Sequence, residues 1–113
     1  MSVTIYHNPR CGKSRETLAL LEKKGVTPRV VEYLKTPPDE ATLRRLLKLL
    51  GKTPRELLRA KEAKEAGLDK PGLTDGAIIA GMLRHPIVSE RPNVVNGGRA
   101  ALGRPPAAVL KIL

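Results

Sequence analysis

The 113-residue sequence contains no phenylalanine and no tryptophan, and its only tyrosines are Tyr6 and Tyr33. Its core must therefore be aliphatic, because the 41% hydrophobic share consists mostly of leucine, alanine, valine and isoleucine. Modules that bind single-stranded nucleic acids stack bases on aromatic side chains. The scarcity of aromatic residues argues against that class of function.

Cysteine is equally scarce, because Cys11 is the only one and cannot form an internal disulfide. One cysteine with two histidines gives no metal-site spacing, and we expect neither a metal nor a prosthetic group. No apolar run approaches the ~20 residues of a membrane span, and no signal-peptide pattern opens the sequence. We expect a cytoplasmic protein without a membrane partner, in a compartment where thiols stay reduced.

Acidic residues are outnumbered, with 11 Asp and Glu against 21 Lys and Arg, which gives a formal net charge of +10. Such a charge favours anionic partners, including nucleic acids and small oxyanions. A solvated basic surface without a specific partner is the simpler explanation of the excess, and the sequence favours it for the charge as a whole. No nucleic-acid-binding motif accompanies the charge, and we expect no nucleic-acid partner.

The first third of the sequence predicts a strand, a helix and a second strand. Val3–Tyr6 is a β-branched and aromatic run typical of a buried strand, and Thr27–Leu34 is a second such run. Between them, Ser14–Lys24 has the apolar spacing of a helix and is followed by Gly25. Because a helix joins the two strands, we expect them to be parallel.

Three helices are predicted in the middle of the chain from their capping residues, prolines and closing glycines. A hairpin around an Asn-Gly-Gly turn and a short terminal helix are predicted after them. In chain order these segments are Lys35–Gly51, Thr53–Gly67, Leu73–Pro86, the hairpin at Arg91–Gly103 and the helix at Arg104–Leu113. The order fits an α/β fold with a mixed four-stranded sheet flanked by helices and a helical insertion at about residues 39–85. No linker or repeat interrupts it, so we predict a single domain, 1–113.

Cys11 carries the strongest chemical signal. The stretch "YHNPRCGKSR" places it in a loop after the first strand, directly before the first helix. Backbone N–H groups at a helix N-terminus stabilise a thiolate and lower the thiol pKa. Arg10, Lys13 and Arg15 would add positive potential, and His7 could donate or steer a proton. A buried, inert cysteine is the alternative, but these polar neighbours disfavour it.

A second cysteine for the chemistry is missing. Ser14 stands where the second cysteine of a C-x-x-C pair would be, so Cys11 would need an external thiol. The motif "IYHNPRCGKSRETLALL", with "LLR" ending at Arg59, "HPIVSERP" containing Arg91 and "GRP" containing Arg104, resembles the glutaredoxin-dependent arsenate reductase family. This ArsC-like resemblance covers essentially the whole chain.

The resemblance implies a thioredoxin- or glutaredoxin-like fold and the reduction of arsenate, or a related oxyanion, to arsenite. Cys11 would attack the oxyanion, which a set of three arginines would hold: Arg59, Arg91 and Arg104. Glutathione is implied as co-substrate and glutaredoxin as partner protein. We expect the protein to act as a monomer.

Four further residues are expected to support the site. His7 matches the family's loop histidine, which is implied to help keep the cysteine ionised. Pro92 matches the proline of the thioredoxin fold that follows a cis peptide bond. Ser14 and Arg15 belong to the first turn of the predicted helix, where Arg15 adds positive charge.

Two of the three arginines also have a plainer explanation. Arg59 is expected at the end of a helix, where a cation favours the dipole, and Arg91 is explained by ordinary surface charge. Arg104 is different, because a cation at a helix start opposes the dipole. His85 is expected as a helix-end residue.

Three other functions compete with arsenate reduction. They are an Spx-type redox regulator that binds RNA polymerase, a glutathione-dependent thiol reductase with another substrate, and a basic nucleic-acid binder. Spx-type regulators usually carry C-x-x-C and lack the full arginine set, so the sequence favours the reductase. The fold alone does not choose among them.

Overall fold

The computed structural model describes residues 2–113 and arranges them in two compact units. The first unit combines residues 2–36 with Arg91–Leu113, and the second is Pro37–Glu90. The predicted insertion, about residues 39–85, falls inside the second unit. A single domain over 1–113 stays a prediction.

A mixed four-stranded sheet forms the first unit, as the order of elements predicts. Its strands are β1 (Val3–His7), β2 (Arg29–Glu32), β3 (Asn93–Asn96) and β4 (Arg99–Leu102). They lie in the order β2-β1-β3-β4, with β1 and β2 parallel and the other two pairs antiparallel. The helix α1 (Gly12–Lys23) connects the parallel pair and begins two residues earlier than predicted. The hairpin closes through Gly97 and Gly98, and Gly97 has the positive φ of 61° that such a turn requires.

An aliphatic cluster holds the first unit together. Ile5 and Val94 are register partners on β1 and β3, so their side chains lie on one face of the sheet. Both are fully buried together with Leu21 of α1 and Val109 of the terminal helix Pro106–Ile112. Burial of each contributes about 1.5–3 kcal/mol. The two helices thus cover the same face, and the terminal one is a 3-10 helix rather than an α-helix.

Three α-helices and two 3-10 turns form the second unit. They are α2 (Glu40–Leu50), the turn Arg55–Leu57, α3 (Ala60–Glu65), α4 (Asp75–Arg84) and the turn Pro86–Val88. The predicted caps form, since Asp39 accepts from the Thr42 N–H at 2.8 Å and Thr74 accepts from the Ala77 N–H at 3.1 Å. No helix within residues 2–113 is long and apolar enough to cross a bilayer.

The prediction of one helix from Thr53 to Gly67 is wrong. Its capping box forms, because the Thr53 N–H donates to Glu56 Oε1 at 2.9 Å and the Glu56 N–H donates to Thr53 Oγ1 at 3.2 Å. However, this box opens only the 3-10 turn Arg55–Leu57. The chain is then extended at Leu58 before α3 begins.

Backbone pairing with a distant segment explains the break. The Arg59 N–H donates to the Val88 carbonyl at 2.7 Å, and the Glu90 N–H donates to the Leu57 carbonyl at 2.7 Å. These hydrogen bonds take the place of the intrahelical bonds that a continuous helix would make. Arg59 therefore precedes a helix instead of ending one.

Candidate active site

The loop after β1 positions Cys11. The Cys11 N–H donates to the Asn8 carbonyl at 3.0 Å, and the Arg10 N–H donates to Asn8 Oδ1 at 3.0 Å, which closes a tight turn. The Arg15 guanidinium donates to the Pro9 carbonyl at 3.1 Å and ties the turn to α1. Cys11 is the N-cap residue of α1, with its backbone extended at φ −93° and ψ 123°.

The surroundings of Cys11 favour its thiolate. Burial is the largest single influence and opposes ionisation. Hydrogen bonds from the Ser14 N–H, the Arg91 side chain and the Lys13 N–H, with the positive charge of Arg91, outweigh burial and lower the pKa of the Cys11 thiol. The sulfur thus lies where a helix N-terminus and an arginine both stabilise negative charge.

Two of the three predicted arginines lie at the sulfur. Arg91 is 7% exposed, whereas Arg104 is exposed and its Nη2 lies 3.9 Å from Cys11 Sγ. Arg104 Nε also donates to the Arg91 backbone carbonyl at 2.8 Å, which helps to orient the Arg104 side chain beside the sulfur. The bond before Pro92 is cis, as the resemblance implies, and the bond before Pro105 is cis as well, which was not anticipated.

His7 and Ser14 form a buried pair behind the loop. Ser14 is fully buried, accepts from the Asn8 N–H at 3.0 Å and lies 2.6 Å from His7 Nδ1. Burial lowers the pKa of His7, the Glu32 carboxylate raises it and Arg15 lowers it again, with a net decrease. This net decrease in pKa favours the neutral imidazole. Because a buried hydroxyl needs an acceptor, we assign Nδ1 as acceptor of the Ser14 O–H.

Comparison with known protein families identifies the family to which this chain belongs. The model of the ArsC family matches residues 6–112.

The chain belongs to the ArsC family.

Related proteins match this sequence over nearly its whole length. It is 55% identical to the uncharacterized protein YfgD of Escherichia coli, covering 98% of this chain and 96% of that relative. It is 44% identical to an arsenate reductase of Haemophilus influenzae, covering all of both chains. A solved structure of an arsenate reductase from Vibrio cholerae matches with a TM-score of 0.95 at 51% identity, covering 100% of this chain and 98% of that one. The expected α/β thioredoxin-like fold is confirmed by this match.

Arg59 of this ArsC-family chain lies in the second unit. Its side chain is paired with Glu62, with 3.5 Å between Arg59 Nη1 and Glu62 Oε1. Its convergence with the other arginines on Cys11 stays a prediction. His85 is the C-cap residue of α4, at the helix end where it was expected.

Two polar residues of the site were missed from the sequence. Asn8 organises the turn with both its side chain and its carbonyl, and Asn followed by Pro9 is a known turn signal that could have identified it. Glu32 is the register partner of His7 across β1 and β2. Nothing local marks Glu32, because its position depends on the pairing of two strands.

A metal has no evident place in the described part of the chain. Within residues 2–113 no group of three or more His, Cys, Asp or Glu side chains could hold a metal ion. The absence of a metal from the reaction stays a prediction. What the site offers is one activated sulfur and two guanidinium groups, a combination suited to covalent chemistry on an anion.

Proposed function

We propose that this ArsC-family protein reduces arsenate to arsenite, with Cys11 as the nucleophile. The observation that carries the proposal is the position of Arg91 and Arg104 at the Cys11 sulfur, where Arg104 Nη2 lies 3.9 Å away. The arsenate reductases among its relatives support the choice of oxyanion. Phosphate and sulfate share the tetrahedral shape, but neither undergoes an accessible two-electron reduction by thiols.

Electrostatics explains why this chemistry needs the arginines. A thiolate attacking an arsenate dianion meets repulsion, which nearby positive charge must cancel. Guanidinium groups stay charged at any working pH, and their planar fork of donors matches the oxygens of a tetrahedral anion. Arg91 and Arg104 meet this requirement, and we propose that Arg59 completes the clamp.

The proposed cycle begins when the Cys11 thiolate displaces hydroxide from arsenate and forms a sulfur–arsenic bond. The thiol of glutathione then displaces a second oxygen as water. A glutaredoxin thiolate attacks the glutathione sulfur, which forms a mixed disulfide and breaks the bond from that sulfur to arsenic. The electron pair of this bond stays on arsenic and reduces As(V) to As(III). Water then releases arsenite and regenerates Cys11.

This route fits a chain with a single cysteine. The two electrons come from glutathione and glutaredoxin, so the protein needs no resolving thiol of its own. The reaction belongs in the cytoplasm, where these thiols are kept reduced. Ser14, in place of a second cysteine, disfavours the Spx-type alternative.

A coupled assay tests the proposal. Arsenate, glutathione, glutaredoxin, glutathione reductase and NADPH should give arsenate-dependent NADPH oxidation, and Cys11→Ser should abolish it because no other cysteine can replace Cys11. A Ser2→Ala variant should behave like the parent, since Ser2 is an exposed residue outside the site. Turnover sustained by thioredoxin without glutathione would contradict the single-cysteine route.

A further inference from the structure

A cavity lies next to the Cys11 loop. It has a volume of about 230 Å³ and lies between residues 7–10, which end β1 and begin the loop, and three residues that end or follow β2, namely Glu32, Leu34 and Lys35. The same loop turns back at Asn8 to place Cys11 at the start of α1. A molecule in this cavity would therefore touch the loop that carries the nucleophile.

The charges around this cavity follow a specific pattern. Arg10 and Lys35 contribute two cations, and Glu32 contributes one carboxylate. Glu32 Oε1 lies 3.6 Å from Lys35 Nζ, and both side chains are substantially exposed. Exposed pairs of this kind contribute little to stability, so a ligand can separate the two at small cost. The backbone beneath them is ordered, since the Lys35 N–H and Thr36 N–H both donate to the Glu32 carbonyl at 2.9 Å.

This pattern excludes some ligands and selects others. Arsenate or phosphate could pair with Arg10 and Lys35 but has no group to pair with Glu32, so the cavity suits a zwitterion better than a second oxyanion. A ligand with one ammonium and two carboxylates would pair with all three charged side chains. Glutathione carries that set at neutral pH, with an amino-acid head group at its γ-glutamyl end and a second carboxylate on its glycine.

We propose that this cavity binds the γ-glutamyl end of glutathione during arsenate reduction. Its ammonium lies against Glu32, its head-group carboxylate against Lys35, and its glycine carboxylate near Arg10, next to Cys11. The cavity is smaller than the ~300–1,000 Å³ of pockets that enclose whole drug-sized ligands, so it holds the head group while the thiol extends along the loop. This inference rests on the proposed function for the source of its ligand, but its binding site can be tested separately.

Binding of an inert analogue gives the first test. S-methylglutathione cannot react with arsenic or with Cys11, so its titration into ¹⁵N-labelled protein reports binding alone. We expect chemical-shift changes in residues 7–10 and 32–35. Lys35→Glu should weaken binding about three- to tenfold, because it turns an attraction into a repulsion. The matched control Lys24→Glu makes the same charge change at the opposite end of α1 and should bind like the parent.

Kinetics gives the second test. Lys35→Glu should raise the KM for glutathione by a similar factor and leave the KM for arsenate unchanged. Glu32→Gln should raise the KM for glutathione about two- to fivefold, against Glu22→Gln as its control. Since all variants share one coupling system, differences among them belong to this protein.

The outcomes separate the two proposals. If the parent reduces arsenate but Lys35→Glu and Lys24→Glu have equal KM values for glutathione and equal affinities for S-methylglutathione, the cavity proposal is overturned and the reductase proposal stands. If the parent fails to reduce arsenate, the proposed function fails. The titration then still decides whether the cavity binds this head group, and shifts confined to other residues would overturn that as well.

Discussion

Different side chains are buried in the two compact units. In the first, polar or charged groups lie among the buried residues: His7, Asn8, Ser14, Thr17, Arg91, Asn93 and Asn96. Across Pro37–Glu90, all of which is described, the buried side chains are leucine, isoleucine, valine, methionine, alanine and proline. Burying a polar group costs free energy unless it is hydrogen-bonded, so a protein retains such groups mainly where they are needed. The first unit thus combines its core with the chemistry, whereas the second is built as a packed helical scaffold.

Charge follows the same division. The first unit has 11 basic and 3 acidic residues, and its segment Arg91–Leu113 has no acidic residue at all. The second has 10 basic and 8 acidic residues, which nearly cancel. The net charge of +10 is therefore concentrated in the unit that contains Cys11, where it favours an anionic substrate. The alternative of a merely solvated basic surface does not explain this uneven distribution.

The largest expected effects concern the two aliphatic cores. Leu21→Ala in the first unit and Leu57→Ala in the second should each lower the free energy of unfolding by about 2–5 kcal/mol, because both side chains are fully buried. Urea denaturation followed by circular dichroism measures this loss. Leu110→Ala is the matched control, since Leu110 is 36% exposed and should cost much less. Equal losses at Leu21 and Leu110 would contradict the assignment of the first core.

The arginines should give the next largest effects. Arg91→Ala and Arg104→Ala should each lower kcat/KM for arsenate about 10- to 150-fold, the equivalent of losing a charge-assisted hydrogen bond of about 1.5–3 kcal/mol. Lysine at either position should restore only part of the activity, because an ammonium lacks the forked geometry. Steady-state kinetics with arsenate as the varied substrate measures both effects.

Substitution of Arg59 tests whether the second unit contributes a residue to the arginine clamp. If the second unit supplies the third arginine of the clamp, Arg59→Ala should also lower kcat/KM for arsenate about 10- to 150-fold. Lys23→Ala and Arg44→Ala serve as controls, one in each unit, since both side chains lie exposed on helices. Activity of Arg59→Ala equal to that of Arg44→Ala would confine the clamp to the first unit.

The same division explains what the sequence could and could not predict. The order of strands and helices along the chain, the hairpin and the placement of Cys11 before α1 follow from local signals such as periodicity, turn residues and caps. The break at Leu58 does not, because it depends on pairing with Ser89, far along the chain. As a result, Arg59 was expected at a helix end favourable to a cation, whereas it occupies the unfavourable start of α3.

The burial of Arg91 was also beyond local signals. Arginine before proline in a loop resembles ordinary surface charge, yet Arg91 is only 7% exposed. Only the resemblance to a family pointed to it. Arg104 also came from the resemblance, but its expected position at a helix start, where a cation opposes the dipole, favoured a function independently. Its Nη2 lies 3.9 Å from Cys11 Sγ.

The smallest expected effects concern the pH dependence of the thiol, and they separate direct from indirect support of Cys11. The rate of alkylation by iodoacetamide should rise with pH through a midpoint below ~8.5, the pKa of a free thiol, because the folded protein lowers the pKa of Cys11. Arg91→Ala removes a hydrogen bond and a positive charge, so it should move the midpoint upward. His7→Ala should move it less, because the imidazole pairs with the Ser14 hydroxyl and is not among the groups that lower the pKa of Cys11.

The dependence of folding stability on pH provides a second test of the lowered pKa of Cys11. A thiol whose pKa is lower in the folded state stabilises the fold above the pKa of the unfolded thiol, and this contribution is lost as the pH falls through the folded value. Stability should therefore rise with pH across that window in the parent and stay flatter in Cys11→Ser. If the parent and Cys11→Ser show the same slope, or if alkylation of the parent titrates at ~8.5, Cys11 is an ordinary thiol. The Arg91 side chain and the Ser14 and Lys13 N–H groups would then have no effect on the pKa of the Cys11 sulfur.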